Sequence, residues 1–234
     1  MDRPFRHELK HEINYIDSVE LSLRLKHLIA RDSFAREDGT YLVKSLYFDN
    51  HDDKALFEKL CGYNYREKFR IRYYNNDLSF IRIEKKSKIN GFCLKETSPI
   101  TESECRSLLN GDTGVLKDIG DGNGNAADGN TADELYLKMN YQLLRPKSII
   151  EYVREAYACP IGDVRITIDS DIRISNDPDI FLTDKSLPVG IGNTIILEVK
   201  YNEFIPGVLR DAVQLTNRAS VSYSKYSAAR MTYI

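Results

Sequence analysis

The sequence predicts a mainly β (α+β) fold, in which an antiparallel sheet carries short helices at its edges. Apolar and polar residues alternate with a period of two along several segments, which is typical of strands with one buried face. Turn residues separate consecutive segments at hairpin spacing, and the helical stretches between them are short. The chain has 234 residues, of which 42% are hydrophobic. We therefore expect one domain, 1–234, with a sizeable core.

The first predicted strand contains a misleading motif. His7–His11 reads H-E-x-x-H, the zinc-protease signature. That motif works on a helix, where both imidazoles reach one zinc and the glutamate is the general base. Here Leu9 and Ile13 alternate with Glu8 and Lys10, which is the period of a strand. On a strand the glutamate points away from the histidines, so we do not expect a protease.

The other elements follow in chain order from the same signals. Asp17 to Arg31 has a helical period, with Asp17 or Ser18 as its N-cap. Further strands are expected at 40–50, 66–74, 78–86, 91–100, 148–157, 163–175 and 193–202. Further helices are expected at 53–60, at 101–109 behind a Thr101–Glu104 capping box, at 135–144, and last at 206–215.

Residues 110–134 differ in composition from the rest of the chain. Six of the 13 glycines lie there, with few large apolar residues. Such a stretch buries too little surface to order itself, so we expect a flexible Gly/Asp/Asn-rich insertion within the domain. Its segment 121–132 weakly resembles a calcium loop. However, Ala126 stands at the turn glycine and Ala132 at the bidentate glutamate, so calcium binding is not expected.

Composition excludes several classes of function. The formal net charge of −2 gives no reason to expect nucleic-acid binding. The cysteines form no C-x-x-C pair, and all four histidines lie in the first quarter of the chain, which argues against a Cys/His zinc site. No apolar run approaches the ~20 residues of a membrane span. We expect a cytoplasmic protein with reduced thiols, whose membrane attachment would need a separate membrane protein.

The polar faces of the predicted strands carry Lys and Arg with scattered Glu. The alternating sets are Glu8, Lys10 and Glu12; Arg70 and Arg72; Arg82, Glu84 and Lys86; Tyr152 and Arg154; Arg165, Thr167 and Asp169; Glu198 and Lys200. Such a face either meets water or lines the lumen of a closed barrel. A lumen with these cations must stay wet or hold a polyanion, and phosphate with a divalent ion suits Arg, Lys and Glu. The pattern alone leaves both interpretations open.

Eight short segments, in order along the chain, resemble the VTC domain. They are "RHELK", "SLYFDN", "GYNYREKFRIRYY", "IRIEKKSK", "YVREAY", "VRITID", "LEVKYN" and "SYSKY". That family is the polyphosphate-polymerase branch of the triphosphate tunnel metalloenzymes, relatives of the CYTH phosphatases. The first strand reads Glu8, Lys10, Glu12 rather than the E-x-E-x-K of CYTH phosphatases, which favours the VTC branch.

The resemblance implies a fold and a set of site residues. The fold is an eight-stranded antiparallel β-barrel tunnel. The catalytic, phosphate-gripping residues are Lys10, Arg70, Arg72, Lys86, Arg154, Arg165 and Lys225. Neighbouring substrate-binding residues are Lys95, Tyr152, Lys200 and Ser224. The metal, Mn²⁺ or Mg²⁺, is expected on Glu198, with Glu84 and Glu8 as further carboxylates.

The resemblance also implies an activity, the transfer of the terminal phosphoryl group of ATP, or another triphosphate, onto inorganic polyphosphate. Two alternatives remain: a triphosphatase that uses water as acceptor, and a non-catalytic sensor of polyphosphate or nucleotide. Carboxylates repel a polyanion, which argues against the sensor. Each cation also has a structural interpretation, since Arg154 or Arg165 could simply pair with Glu84 or Asp169.

Overall fold

The computed structural model describes residues 7–32, 35–90, 92–121, 131–216 and 218–233. The strands are β1 (His7–Ile13), β2 (Ala30–Arg31), β3 (Thr40–Asp49), β4 (Tyr65–Tyr74), β5 (Asp77–Ile89), β6 (Phe92–Ile100), β7 (Arg145–Cys159), β8 (Val164–Ser175), β9 (Val189–Gly190) and β10 (Ile195–Tyr201). The helices are α1 (Tyr15–Leu25), α2 (Lys54–Leu60), α3 (Glu102–Leu109), α4 (Val115–Asp121), α5 (Thr131–Tyr141), α6 (Gly207–Val213) and α7 (Lys225–Thr232). The predicted mainly β class with short helices is confirmed.

Hydrogen bonds join eight of the described strands in the order β1-β10-β8-β7-β3-β4-β5-β6, while β2 pairs with β7 and β9 with β8. The registers are antiparallel. Eight antiparallel strands are therefore confirmed, but within the described residues no pairing joins β1 to β6 and closes the order into a ring. The second edge of β1 is used differently. His11 bridges to Ser220, and the Val221 amide donates to the Lys10 carbonyl at 2.8 Å.

The chain divides into two compact units, each built from three segments. Unit 1 comprises Met1–Leu42, Tyr152–Ile172 and Gly190–Ser224. Unit 2 comprises Val43–Glu151, Arg173–Val189 and Lys225–Ile234. The strands β3, β7 and β8 supply residues to both units. The single domain expected from the sequence stays a prediction.

The core of unit 1 lies between the apolar faces of its strands and helices α1 and α6. Its buried members include Ile13, Leu21, Leu25, Val164, Ile166, Ile168, Leu197, Val199 and Leu209. The predicted N-cap of α1 was wrong. Asn14 is the cap, because its side chain accepts from the Asp17 amide at 2.8 Å while Asp17 accepts from the Asn14 amide at 3.1 Å. This reciprocal box satisfies the backbone donors of Asn14 and Asp17.

The core of unit 2 lies between β3–β6 and the helices α3, α4 and α5. Its buried members include Leu46, Phe48, Phe69, Ile71, Ile81, Ile83, Leu108, Leu116, Leu135 and Met139. The β4–β5 hairpin turns at Asn75 and Asn76, as the turn residues at hairpin spacing predicted, and both have left-handed φ angles, 54° and 57°. The Thr101–Glu104 capping box of α3 is also present.

Four helical predictions need correction. Helix α1 covers Tyr15–Leu25 rather than Asp17 to Arg31, and Ala30–Arg31 forms strand β2. Helix α5 begins at Thr131 and ends at Tyr141, rather than spanning 135–144. Val115–Asp121 is helical within the predicted insertion, whose residues 122–130 lie outside the described ranges. Helix α6 is not the last, because α7 follows it. Tertiary contacts explain why α7 forms without a clear local signal. Its Tyr226 is buried, stacks on Tyr47 and donates to the Asp49 carboxylate at 2.6 Å.

A buried ion pair links β3 to β7 inside unit 2. The Lys44 side chain is 1% exposed, and its Nζ lies 3.0 Å from the Glu151 carboxylate. The same ammonium donates to the carbonyls of Thr183 at 2.9 Å and Lys185 at 3.1 Å. Three acceptors thus match the three N–H groups of the ammonium.

Lys44→Met should destabilise the protein by about 3–5 kcal/mol, because it leaves the Glu151 carboxylate buried without its cation. Urea unfolding measures the change in the free energy of unfolding. The double variant Lys44→Met/Glu151→Leu should recover part of the loss, since it removes both charges. An unchanged unfolding midpoint for the single variant would show that the Lys44–Glu151 ion pair does not stabilise the fold.

Candidate functional site

The H-E-x-x-H sequence lies on strand β1, as predicted, and both histidines have other roles. The His7 ring stacks on Tyr201 with centroids 4.8 Å apart. His11 Nδ1 lies 3.0 Å from the carbonyl oxygen of Arg218 and donates to it. Neither imidazole is arranged with Glu8 around a common metal position, so the protease interpretation is excluded.

Four charged side chains of unit 1, Glu8, Lys10, Glu198 and Lys200, form an alternating ring that we call the Lys–Glu ring. The register pairs Lys10 with Glu198 and Glu8 with Lys200 across β1 and β10. Lys10 Nζ lies 2.8 Å from Glu8 and 3.3 Å from Glu198. Lys200 Nζ contacts both carboxylates as well. The ring is therefore neutral overall and built from two adjacent strands.

Burial and neighbouring charges shift the pKa values of Glu198 and Lys10 in opposite directions, and the charges have the larger combined effect. Burial raises the pKa of the Glu198 carboxyl, but Lys200, Lys10 and Arg154 hold it well below its usual range. Burial lowers the pKa of the Lys10 ammonium, but Glu198 and Glu8 raise it above its ordinary value. These two members of the ring are consequently ionised at neutral pH.

On β7, Arg154 forms a fork with Asp169 of β8, with N···O distances of 2.6 and 2.8 Å. Its guanidinium also lies 5.2 Å from the ring centre of the buried Tyr152. Burial lowers the pKa of Arg154, yet the Asp169 carboxylate raises it well above its ordinary value. Arg154 therefore pairs with Asp169, as its structural interpretation predicted. The two-point contact also fixes the direction of the guanidinium.

Arg165 on β8 contacts neither of the partners considered for it in the sequence. Its Nη2 donates to Asp32 at 2.7 Å and to the Tyr41 hydroxyl at 2.9 Å. Its buried Nε has no hydrogen-bond partner within the described residues, and neither has Thr167 Oγ1, which is on the residue opposite Glu198. Thr167 is only 2% exposed. An unsatisfied buried polar group costs about 1–3 kcal/mol, so these atoms are suited to a polar ligand.

The polar side of β4, β5 and β6 in unit 2 is strongly basic, and we call it the cationic face. Its charged residues are Arg66, Lys68, Arg70 and Arg72 on β4, Arg82, Glu84, Lys86 and Lys88 on β5, and Lys95 on β6. The register sets Lys86 directly opposite both Lys68 and Lys95, and Arg72 opposite Arg82. Like charges directly opposite each other destabilise a sheet. Glu84 is the one carboxylate in this set, so the face favours a polyanion.

Glu84 organises the centre of the cationic face. Its carboxylate lies 2.5 Å from Arg70 Nη2, 2.5 Å from Lys95 Nζ and 4.0 Å from Arg72 Nη1. Burial raises the pKa of Glu84, but these three cations together hold it well below its usual range. Of the three carboxylates predicted to bind metal, Glu84 is the one most fully occupied by cations.

Strand β3 adds two residues that the sequence analysis missed. Arg72 Nε donates to Ser45 Oγ at 2.8 Å, and Arg70 Nη1 donates to the Tyr47 hydroxyl at 2.9 Å. Ser45 and Tyr47 are opposite these arginines in the register. Ser45 and Tyr47 lie two residues apart, so the sequence places them on one face of β3. No local signal showed that this face contacts the arginines of β4.

The predicted site residues thus fall into two groups. Unit 1 holds Glu8, Lys10, Tyr152, Arg154, Arg165, Glu198, Lys200 and Ser224; unit 2 holds Arg70, Arg72, Glu84, Lys86, Lys95 and Lys225. The half-buried Ser224 follows Tyr223, whose carbonyl accepts from Lys10 Nζ at 3.3 Å. Lys225 is the first residue of α7. Asp32, Tyr41 and Thr167 of unit 1 are further contacts that the predicted site did not include.

The VTC resemblance implies a divalent cation, and the oxygen atoms of unit 1 can be tested against it. Within the described ranges, no group of three or more His, Cys, Asp or Glu residues is arranged to hold a metal. Mg²⁺ and similar ions, however, often use only one or two carboxylates, with water and substrate phosphates as the other ligands. Glu198 and Glu8 lie on adjacent strands, and Thr167 Oγ1 lies on the residue opposite Glu198. This donor set fits such a cation.

Comparison with known proteins assigns the chain to a family, since a model of the VTC domain matches residues 5–234. The chain belongs to the VTC domain family. The Lys–Glu ring and the cationic face are therefore features of a VTC domain. Within the described part of this VTC domain, no helix is long and apolar enough to cross a membrane.

Solved structures with some likeness to this VTC domain have little sequence in common with it. A Bacillus halodurans protein described as a candidate adenylate cyclase is 12% identical, over 86% of this chain and 82% of its own, with a TM-score of 0.49. A protein from Pyrococcus horikoshii is 12% identical, over 89% and 84%, with a TM-score of 0.43. A conserved protein from Pyrococcus furiosus is 11% identical, over 89% and 85%, with a TM-score of 0.42. No curated protein sequence matches the chain.

Lys86→Met should weaken the binding of metal-free tripolyphosphate by roughly tenfold or more. It removes the central charge of the Lys68–Lys86–Lys95 row, and with it a charged contact to the ligand. Titration calorimetry measures the affinity, and thermal unfolding checks that the variant folds.

Lys85→Met is the matched control, on the same strand but the opposite face. Its ammonium pairs with Glu134, and with Glu96 at 3.2 Å. The control should therefore lower stability slightly and leave tripolyphosphate affinity unchanged. Equal effects of the two substitutions on tripolyphosphate affinity would contradict the assignment of the cationic face as the phosphate-binding surface.

Proposed function

We propose that this VTC domain transfers the terminal phosphoryl group of a nucleoside triphosphate, ATP, onto inorganic polyphosphate in a metal-dependent reaction. The observation that carries the proposal is the cationic face, where adjacent strands place like-charged residues opposite one another around one carboxylate. Such an arrangement is costly without a polyanion and favourable with one. Family membership supports the same substrate class.

The cationic face would bind and orient phosphates. Arg70 and Arg72 present guanidinium forks that match phosphate oxygens, and Lys86 and Lys95 act as point charges. Glu84 restricts the directions in which three of these cations point, since it lies within 4.0 Å of each. Phosphoryl transfer requires mainly such positioning and charge stabilisation.

The Lys–Glu ring would hold the metal, with Glu198 and Glu8 as ligands to Mn²⁺ or Mg²⁺. When bound, the cation supplies Lewis acidity that polarises the transferring phosphoryl group. With Glu198 and Glu8 engaged as metal ligands, Lys10 and Lys200 would turn from these carboxylates to phosphate oxygens. Arg154, held by Asp169, needs no reorientation to contribute its outer N–H groups.

The remaining predicted residues keep supporting roles in the proposal. Arg165, Tyr152, Ser224 and Lys225 would contact phosphate oxygens. A cytoplasmic location is consistent with the four cysteines, all of which are free thiols.

The low pKa values of the carboxylates favour polyphosphate over water as the acceptor. Hydrolysis is assisted by a general base with a pKa near the working pH. Cations hold the pKa values of Glu198 and Glu84 well below that range, after burial has raised them. A phosphate acceptor is already an anion and needs no base. The triphosphatase and the non-catalytic sensor are the rival functions.

Purified protein with ATP and Mn²⁺ should release ADP and form long polyphosphate in matching amounts. ADP, free phosphate and polymer on a gel, followed over time, measure the reaction. ADP with free phosphate but no polymer would identify a triphosphatase. Absence of turnover, with tripolyphosphate still raising the melting temperature, would identify a sensor.

Glu198→Gln should reduce turnover by roughly 100-fold or more, because the amide is a poor metal ligand and no longer balances two lysines. Circular dichroism should show an intact fold. Glu12→Gln is the matched control on β1, since Glu12 shares the polar face of Glu8 and Lys10 but lies outside the Lys–Glu ring. A Glu198→Gln enzyme with unchanged rate would remove the metal role from this residue.

A further inference from the structure

Tyr47 is a buried phenol enclosed by the cations of the cationic face. It is 4% exposed, and its hydroxyl oxygen accepts from Arg70 Nη1 at 2.9 Å. The Arg70 guanidinium carbon lies 5.7 Å from the ring centre, and Lys68 Nζ lies 5.6 Å from it. Two cations from β4 thus contact one phenol directly.

The other elements packed against Tyr47 add little negative charge. On α7, Tyr226 stacks on the Tyr47 ring with centroids 5.2 Å apart, and its own hydroxyl donates to Asp49 of β3. On β5, Glu84 is held by Arg70 and Lys95. On β7, the other neighbour of β3, Glu151 is paired with Lys44. The carboxylates of this region therefore already have partners, and the cations around the Tyr47 phenol dominate its surroundings.

The proton of Tyr47 is held weakly as a result. Burial raises the pKa of the phenol, but Arg70, Lys68 and Arg72 outweigh burial and lower the pKa to about 7. In the empty protein at neutral pH, a substantial fraction of Tyr47 is therefore phenolate, and the phenolate balances part of the charge of the face.

We propose that Tyr47 is a positioning residue that acts through Arg70 and couples the binding of a phosphate polyanion to the uptake of one proton. In the empty face, the O–H bond breaks, the proton goes to solvent and the phenolate pairs with Arg70. When a polyanion binds, its negative charges repel the phenolate. The phenolate then takes a proton from solvent, and Arg70 is released to the ligand. The choice of a phosphate ligand rests on the proposed function.

The sign of the linkage follows from these two states. A bound polyanion raises the pKa of Tyr47 above its value of about 7 in the empty face. Below that pH both states hold the proton, so Tyr47 adds no pH dependence. Above it, binding must draw a proton from solution, and affinity falls with rising pH by at most about tenfold per pH unit.

Near-ultraviolet absorbance tests the ionisation, because phenolate absorbs where phenol does not and the chain has 15 Tyr and no Trp. Titration of the metal-free protein from about pH 6 to about pH 9 should show one phenolate forming near pH 7. Tyr47→Phe should abolish that step. Burial raises the pKa of Tyr74, but Arg72 and the neighbouring cations outweigh burial and lower it, so the Tyr47→Phe variant is needed to assign the signal.

Tyr41→Phe is the matched control. Tyr41 also lies on β3 and also accepts from an arginine, Arg165, at 2.9 Å. There burial outweighs the nearby cations and raises the pKa of the phenol. Tyr41→Phe should therefore retain the phenolate step. Its loss in this variant, or its persistence in Tyr47→Phe, would overturn the assignment.

Calorimetry with metal-free tripolyphosphate at about pH 8, in two buffers of different ionisation enthalpy, tests the coupling. The wild type should take up close to one proton more per bound ligand than Tyr47→Phe. Equal proton uptake would overturn the inference and leave the proposed function standing. Failure of both proteins to bind tripolyphosphate would overturn both the inference and the proposed function.

Discussion

The antiparallel register between adjacent strands is the constraint on which both charged clusters depend. Residues directly opposite each other share a face, with Cβ atoms about 4.5–5.5 Å apart, so the sequence of each strand decides which charges meet. In unit 1 this rule pairs Lys10 with Glu198 and produces a neutral ring. In unit 2 it sets Lys86 opposite two other lysines and produces a basic surface. One geometric rule thus yields two surfaces of different chemistry.

Carboxylates in these clusters serve to orient cations as much as to neutralise them. Asp169 fixes Arg154 through a two-point contact, and Glu84 holds cations from β4 and β6 in one place. A cation held in this way loses less freedom when a phosphate arrives, which is the usual benefit of preorganisation. The cost is stability in the empty protein, as is common where binding surfaces concentrate charge of one sign.

The sequence predicted strands and faces better than it predicted partners. Period-two alternation located β4, β5 and β10 and sorted their residues into apolar and charged faces. This works because the pleat of a strand points successive side chains to opposite faces of the sheet. Ion-pair partners depend on register and on contacts distant in sequence, so Arg165 was considered with Glu84 or Asp169 and in fact contacts Asp32. Helix α7 and the Asn14 cap were missed for a related reason. Both are fixed by specific hydrogen bonds rather than by hydrophobic period.

The segment that follows α6 has a consequence for the behaviour of the chain in concentrated solution. A strand with an unpaired edge is a template onto which a second molecule can add a strand and begin aggregation. The hydrogen bond from the Val221 amide to the Lys10 carbonyl and the bridge between His11 and Ser220 occupy part of that edge of β1. Residues that flank the Lys–Glu ring therefore also limit the addition of a second molecule to this edge during folding, when intermolecular strand pairing competes with the native register.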